Sequence, residues 1–323
     1  MAYLDTAYTS GVIAVREKYL LKDKLLRLCE VTAEEAFRLL LDNGFGGGAE
    51  TTASVYEYEK LLLVNEREID AFIKEYAPSQ SEKAYLLSPR DFHNAKALMK
   101  ANFLGENPEK MLTGAGLIEI QTLSACVNDG DFSALAGTPY LQTACEEATA
   151  LLEENPSGAK VGEIFEKALY AHLFSVVKGK RTLKKMLVQK VDMFNILITY
   201  RAGELELAKD KYLSGGVLSQ SDLEKLLDIE KAKSYFAKTD YAEFVKLCLF
   251  AVEKGLPFTQ AEKMLDGFET EYFAKRKYEL KKSEPFLYYI YRRKAENANI
   301  RIVFACLLAG LKEKEIIGRL RAL

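Results

Sequence analysis

The side chains best suited to chemistry are sparse in this chain, and their spacing excludes more than it offers. Only two histidines occur, His93 and His172, and neither has a carboxylate three or four positions away, so the helical patterns that hold a metal are missing. Five cysteines, Cys29, Cys126, Cys145, Cys248 and Cys306, stand at least 19 residues apart with no CxxC pair. That count and spacing argue against a disulfide framework or a zinc site and for a reducing compartment. The run Gly44-Phe45-Gly46-Gly47-Gly48 lacks the Lys-Ser/Thr of a phosphate cradle and continues into Glu50, which reads as a loop. Three basic groups, Lys178 to Lys185, Lys275 to Lys282 and Arg292 to Lys294, read first as solvated helix faces. Tyr272, Phe273, Tyr278, Phe286, Tyr288, Tyr289 and Tyr291 interleave with them and would also suit single-stranded RNA or a protein interface. The balance of 45 Lys+Arg against 47 Asp+Glu counts against RNA. The expectation is a chain with no catalytic residue, no cofactor and no metal.

One pattern does recur. Sliding the chain along itself by 101 positions aligns residues 86–118 with 187–219 at nine identities, among them Asp91/Asp192, Asn94/Asn195, Leu112/Leu213, Gly114/Gly215 and Leu117/Leu218. Average composition predicts roughly two. A weaker third copy sets Asn299 against Asn195, with Glu296 in the place of Asp192. Each copy therefore carries an acid and an amide three residues apart, on one helix face and about one turn from each other: Asp91/Asn94, Asp192/Asn195 and Glu296/Asn299. Three such pairs could line a surface and grip something on an axis. Alternatively, Asp91 complements a helix macrodipole from the first turn while the asparagines tie one helix to the next, and this internal reading is favoured for the individual residues.

The elements that must position these pairs are helical. Thr32/Glu35, Ser88/Asp91, Ser219/Asp222 and Thr259/Glu262 each place a hydroxyl three residues before a carboxylate, the signature of a capped helix start worth about 1 kcal/mol. Ser88-Pro89 adds a proline at the first helical position, and Phe92, Ala95, Leu98, Met99 and Phe103 follow at helical steps. Strand-like alternation is scarce. The expected fold is all-α: three similar bundles with a quasi-threefold repeat, dividing at 1–110, 111–211 and 212–323. The longest apolar run, Ile302 to Ala309, is eight residues, against about 20 for a membrane span. With no signal-peptide layout at the start, a cytoplasmic chain peripheral to the membrane is expected.

The segments that carry the repeat also carry a likeness. Residues 86–105 (LLSPRDFHNAKALMKANFLG), 191–201 (VDMFNILITYR) and 284–311 (EPFLYYIYRRKAENANIRIVFACLLAGL), with Val15-Arg16 and Leu20-Leu21 near the start, resemble the C subunit of the bacterial and archaeal V-type/A-type rotary ATPases, a relative of the eukaryotic d subunit. The resemblance implies a funnel of three bundles, one copy per complex, seated on the membrane rotor ring and receiving the D and F subunits of the central stalk. It implies a coupler rather than a catalyst, with ATP hydrolysis or synthesis and proton or sodium transport performed by other subunits. The residues alone leave two alternatives, a helical enzyme with a pocket between bundles and an RNA-binding helical repeat.

Overall fold

In a computed structural model of the chain, which describes residues 6–17, 24–45, 54–279 and 282–321, every regular element is helical. Gly46 to Gly48, Leu20-Leu21 and Lys281 lie outside the described residues. The helices before the first repeat are α1 (Thr6–Arg16), α2 (Lys24–Cys29), α3 (Ala33–Asp42) and α4 (Tyr58–Tyr76). The central stretch holds α5 (Gln80–Leu104), α6 (Ile120–Asp129), α7 (Pro139–Glu154), α8 (Gly158–Val176), α9 (Arg181–Ala202), α10 (Leu205–Ala208), α11 (Gln220–Glu224), α12 (Ile229–Phe236) and α13 (Ala242–Lys254). The chain ends through α14 (Thr259–Ala274), α15 (Glu284–Leu308) and α16 (Glu313–Ile317).

Several starts follow the expected chemistry. The Thr32 hydroxyl accepts the Glu35 N–H at α3, and Ser219 and Asp222 exchange hydrogen bonds in a full capping box at α11. Ser88-Pro89 does not. α5 begins two turns earlier, where Ser79 pairs with Glu82, and it runs straight through Pro89. Ser88 is buried inside the helix, its hydroxyl donating to the Ala84 carbonyl at 2.7 Å. The proline gives up one backbone hydrogen bond, and the burial of Tyr85, Leu86, Leu87 and Phe92 around it outweighs that loss. Asp91 is consequently mid-helix, and no macrodipole role from a first turn applies to it.

The chain divides into two units, residues 1–83 with 262–323, and residues 84–261. In the first, α2, α3, α4, α15 and α16 bury a core that includes Leu25, Leu28, Phe37, Leu40, Leu61, Ile300, Val303 and Ile316. Phe304 anchors it, stacked on Tyr58 at 5.1 Å and edge-on to Phe37 at 6.3 Å. A polar seam joins α4 to α15: Asn65 donates to Asn297 at 2.6 Å, Asn297 to the Leu62 carbonyl at 3.2 Å, and Arg293 to Asn65 and Glu68. In the second unit, α7 and α8 pair, and Leu123, Cys126, Leu141, Ala144, Cys145, Val161 and Phe165 close over Phe92, Ala95 and Leu98 of α5. Farther along the same unit α9 packs on α10, α11 and α13.

Candidate functional site

The repeated acid–amide pairs sit on the three long helices α5, α9 and α15, and all six side chains are buried, none more than 5% exposed. Each helix is followed by a glycine in the left-handed region: Gly105 (φ 67°), Gly203 (φ 71°) and Gly310 (φ 75°). There the chain reverses and returns as a strap beside its own helix, by way of the short helices α10 and α16 in the second and third cases. The asparagine holds the strap in the same way each time. Asn94 Oδ1 accepts the Thr113 N–H at 2.9 Å, and its Nδ2 donates to the Thr113 and Gly114 carbonyls at 3.5 and 3.4 Å. Asn195 exchanges both bonds with the Leu213 backbone at 2.9 Å, and Asn299 does so with Arg321 at 2.8 and 3.3 Å. A carboxamide suits this task because it presents one donor and one acceptor side by side, as a neighbouring backbone would.

The aspartate takes the next backbone groups along. Asp91 accepts the N–H groups of Leu117 at 3.0 Å and Ile118 at 3.1 Å. Asp192 accepts those of Val217 at 3.0 Å and Leu218 at 3.1 Å, with the Tyr241 hydroxyl donating to it at 2.5 Å. The residue before each held pair is glycine. A Cβ on Gly116 would overlap Asp91 Oδ1 and the Leu87 carbonyl, and one on Gly216 would overlap Asp192 Oδ1. Burial pushes the Asp91 carboxyl up to about 6, against the opposing pull of the strap N–H groups. The Tyr241 phenol is raised too, first by burial and then by its bond to Asp192. In the first unit Glu296 is 1% exposed, one turn before Asn299.

The geometry corrects one register. On the helices the repeat runs at 101, but the straps correspond at 100, with Thr113 matching Leu213 and Gly116 matching Gly216. The sequence identities at Gly114/Gly215 and Leu117/Leu218 are thus one residue out of structural step. Sequence reasoning passed over Gly116, Gly216 and Tyr241, and paired Thr113 with Ser214 where the structure pairs it with Leu213. The recurring triplets Gly116-Leu117-Ile118 and Gly216-Val217-Leu218 were the available signal.

The remaining candidates are accounted for locally. A ring nitrogen of His93 meets the Met111 carbonyl at 2.9 Å, a further pin on the first strap. His172 is buried on α8, with Nε2 3.0 Å from the Ser88 hydroxyl and its ring between Phe92 and Tyr140, and burial lowers its pKa. All five cysteines are free and buried; burial raises the thiols of Cys145 and Cys248 to about 12 and that of Cys29 to about 11. Of the basic groups, Lys178, Arg181, Lys184 and Lys185 are exposed, as a solvated face requires. The group from Arg292 to Lys294 departs from that expectation. Arg292 is buried, and Arg293 is engaged by Asn65, Glu68 and the Tyr289 hydroxyl, because α15 is enclosed on most sides by its unit. Phe286 and Tyr289 are likewise 1% exposed, so neither ring is open to stack on a base.

One cavity of about 260 Å³ lies in the second unit beside the second strap. Phe194 and Ile198 of α9 and Leu213 of the strap are its apolar lining; Glu163, Glu166 and Lys167 of α8, Arg201 of α9 and Lys211 are its charged lining. Among the described residues no group of three or more His, Cys, Asp or Glu side chains is arranged to hold a metal ion, and no helix is long and apolar enough to cross a membrane.

No curated protein matches the chain at a significant level. The family model described as ATP synthase (C/AC39) subunit matches residues 9–319, which takes in every helix from α2 to α16 and most of α1. The helical array and that match together place the chain in the ATP synthase (C/AC39) subunit family of the V-type/A-type rotary ATPases.

Proposed function

We propose that the chain is a non-catalytic component on the central axis of a V-type/A-type rotary ATPase, one copy per complex, joining the D and F subunits of the central stalk to the membrane rotor ring. It thereby links ATP hydrolysis or synthesis in other subunits to proton or sodium transport. The observation that supports this reading is the family match over residues 9–319, which spans nearly the whole helical array. The acid–amide clasps support it mechanically. A coupler must pass torque without yielding, and each strap is tied to a long helix by an asparagine no more than 5% exposed, the first two by an aspartate as well. We read the three clasps as marking three repeats, 1–110, 111–211 and 212–323, with Asp91, Asn94, Asp192, Asn195, Glu296 and Asn299 setting the shape of the surfaces that meet stalk and ring.

The test is reconstitution. A complex assembled with this chain transports ions during ATP hydrolysis; one assembled without it hydrolyses ATP but transports far less per turnover. Equal transport per ATP in both preparations rejects the assignment. Reversing Asp91 and Asp192 to Lys, in protein that still shows its full helical circular dichroism, weakens capture of the stalk subunits in a pull-down.

A further inference from the structure

Near the end of α5, Lys96 and Lys100 are one turn apart on the same face, and both are half-buried. Among the described residues no carboxylate forms a salt bridge or hydrogen bond with either ammonium. Opposite Lys100 stands Gly162 of α8, where an added Cβ would lie 3.9 Å from Lys100 Nζ. Glu166, one turn farther along α8, acts on Lys96 and on Lys190 of α9, not on Lys100. Lys100 is thus partly desolvated beside a second cation and has no counter-charge of its own. Burial first, and then Lys96, hold its pKa below the ordinary lysine value. The lysines grouped before α9 lack these surroundings, since Lys178, Lys184 and Lys185 are exposed. In the second copy of the repeat the aligned residue is Arg201, and a guanidinium stays protonated whatever surrounds it.

An amine attacks only in its neutral form, and a lysine held beside another cation reaches that form more readily near neutral pH. The neighbouring charge also selects the reagent. An anionic acyl donor can rest its phosphate oxygens on Lys96 while its carbonyl carbon meets Lys100. The missing side chain at Gly162 leaves room for a small acyl group between the helices. No thiol competes, because all five cysteines are buried.

We propose that Lys100 is a modification site, acylated by a small acyl phosphate whose phosphate is steered by Lys96. The neutral Lys100 nitrogen bonds to the carbonyl carbon. The bond from that carbon to the bridging phosphate oxygen breaks, and inorganic phosphate leaves with the electron pair. The nitrogen then gives its surplus proton to water. The product is a neutral amide, so one of two adjacent like charges on α5 is removed. Arg201, at the aligned position of the second copy, does not undergo the reaction.

The experiment incubates the full-length folded chain with acetyl phosphate near neutral pH and quantifies each modified lysine by peptide mass spectrometry. Lys100 is acetylated at least about fivefold faster than the exposed Lys178, Lys184 and Lys185. In urea, where the pair is no longer held together, that advantage disappears. Lys96→Gln, shown to be folded by circular dichroism and melting, lowers the Lys100 rate about threefold or more and leaves the three exposed lysines unchanged. The N-hydroxysuccinimide ester of acetic acid, which carries no phosphate for Lys96 to hold, shows a smaller preference for Lys100 in the unaltered protein. A Lys100 rate no higher than those of the exposed lysines overturns the proposal. So does an unchanged Lys100 rate in folded Lys96→Gln. Equal preference for Lys100 with both reagents overturns the steering by Lys96, and that comparison needs no variant.

Discussion

Replacing Gly216 by alanine tests the clasp directly. The new Cβ would lie 3.1 Å from Asp192 Cγ and closer still to Oδ1, so the carboxylate must leave its position. Asp192 is wholly buried and accepts three bonds, from the N–H groups of Val217 and Leu218 and from the Tyr241 hydroxyl. A buried donor left unpaired costs about 1–3 kcal/mol. Displacing the carboxylate should therefore cost about 4–6 kcal/mol, the range in which breaking a buried network stands apart from ordinary substitutions. Asp192→Ala removes the same three bonds and should cost a similar amount. In the double variant the methyl group introduced at position 216 enters space the carboxylate has vacated, so the second substitution adds almost nothing, and the cycle shows a coupling of at least about 2 kcal/mol. The chain has no tryptophan, so urea unfolding is followed by tyrosine fluorescence and far-UV circular dichroism. At a slope of about 2 kcal/mol/M each single variant moves the midpoint by roughly 2 M or more. Additive costs in the double variant, or a Gly216→Ala loss below about 1 kcal/mol, refute the reasoning.

The asparagines should behave alike in all three copies: Asn94→Ala, Asn195→Ala and Asn299→Ala each orphan a backbone N–H and a carbonyl and cost about 2–4 kcal/mol in urea unfolding, with Asn→Asp intermediate because it keeps only the acceptor. Asp91 gives a pH signature. Its folded pKa of about 6 lies above the ordinary 3.8, so the native state binds the extra proton, and its contribution is present below about pH 4 and lost as pH rises through about 6. That amounts to about 3 kcal/mol, and an Asp91→Asn variant should show a correspondingly flatter stability profile over that window. His172 has the opposite sign: its pKa is lowered by burial, so stability is lost as pH falls below the ordinary 6.5, and His172→Gln should remove that acid-side loss. The thiols of Cys145 and Cys248, raised to about 12, should resist iodoacetamide at mildly alkaline pH in the native protein and react fully once urea unfolds it; rapid native alkylation would contradict their burial.

Local signals were legible where local physics decided the outcome. The Thr32 and Ser219 starts formed as their spacing required, since a cap is satisfied within one turn of chain. Ser88-Pro89 carried the same kind of signal and lost, because Ser79 and Glu82 open the helix earlier and the side chains flanking the proline are buried on arrival. The Arg292 group read as a solvated face from charge alone, yet α15 takes Arg292 inside and gives Arg293 partners on α4 more than 220 residues away in sequence.

The sequence by itself determined that the protein is helical, that it carries an acid–amide pair on each of three related helices, and which family it resembles. These rest on composition, on periodicity and on identities that need no partner to be recognised. Only the tertiary structure decided what the pairs do. A hydrogen bond from Asn195 to Leu213, or a glycine cleared for Asp192, spans 18 to 25 residues of chain whose return path depends on how the intervening helix ends. The same holds for the cavity: Glu163, Phe194 and Lys211 share no motif, and they meet because two helices and a clasped strap leave one side-chain-sized space between them.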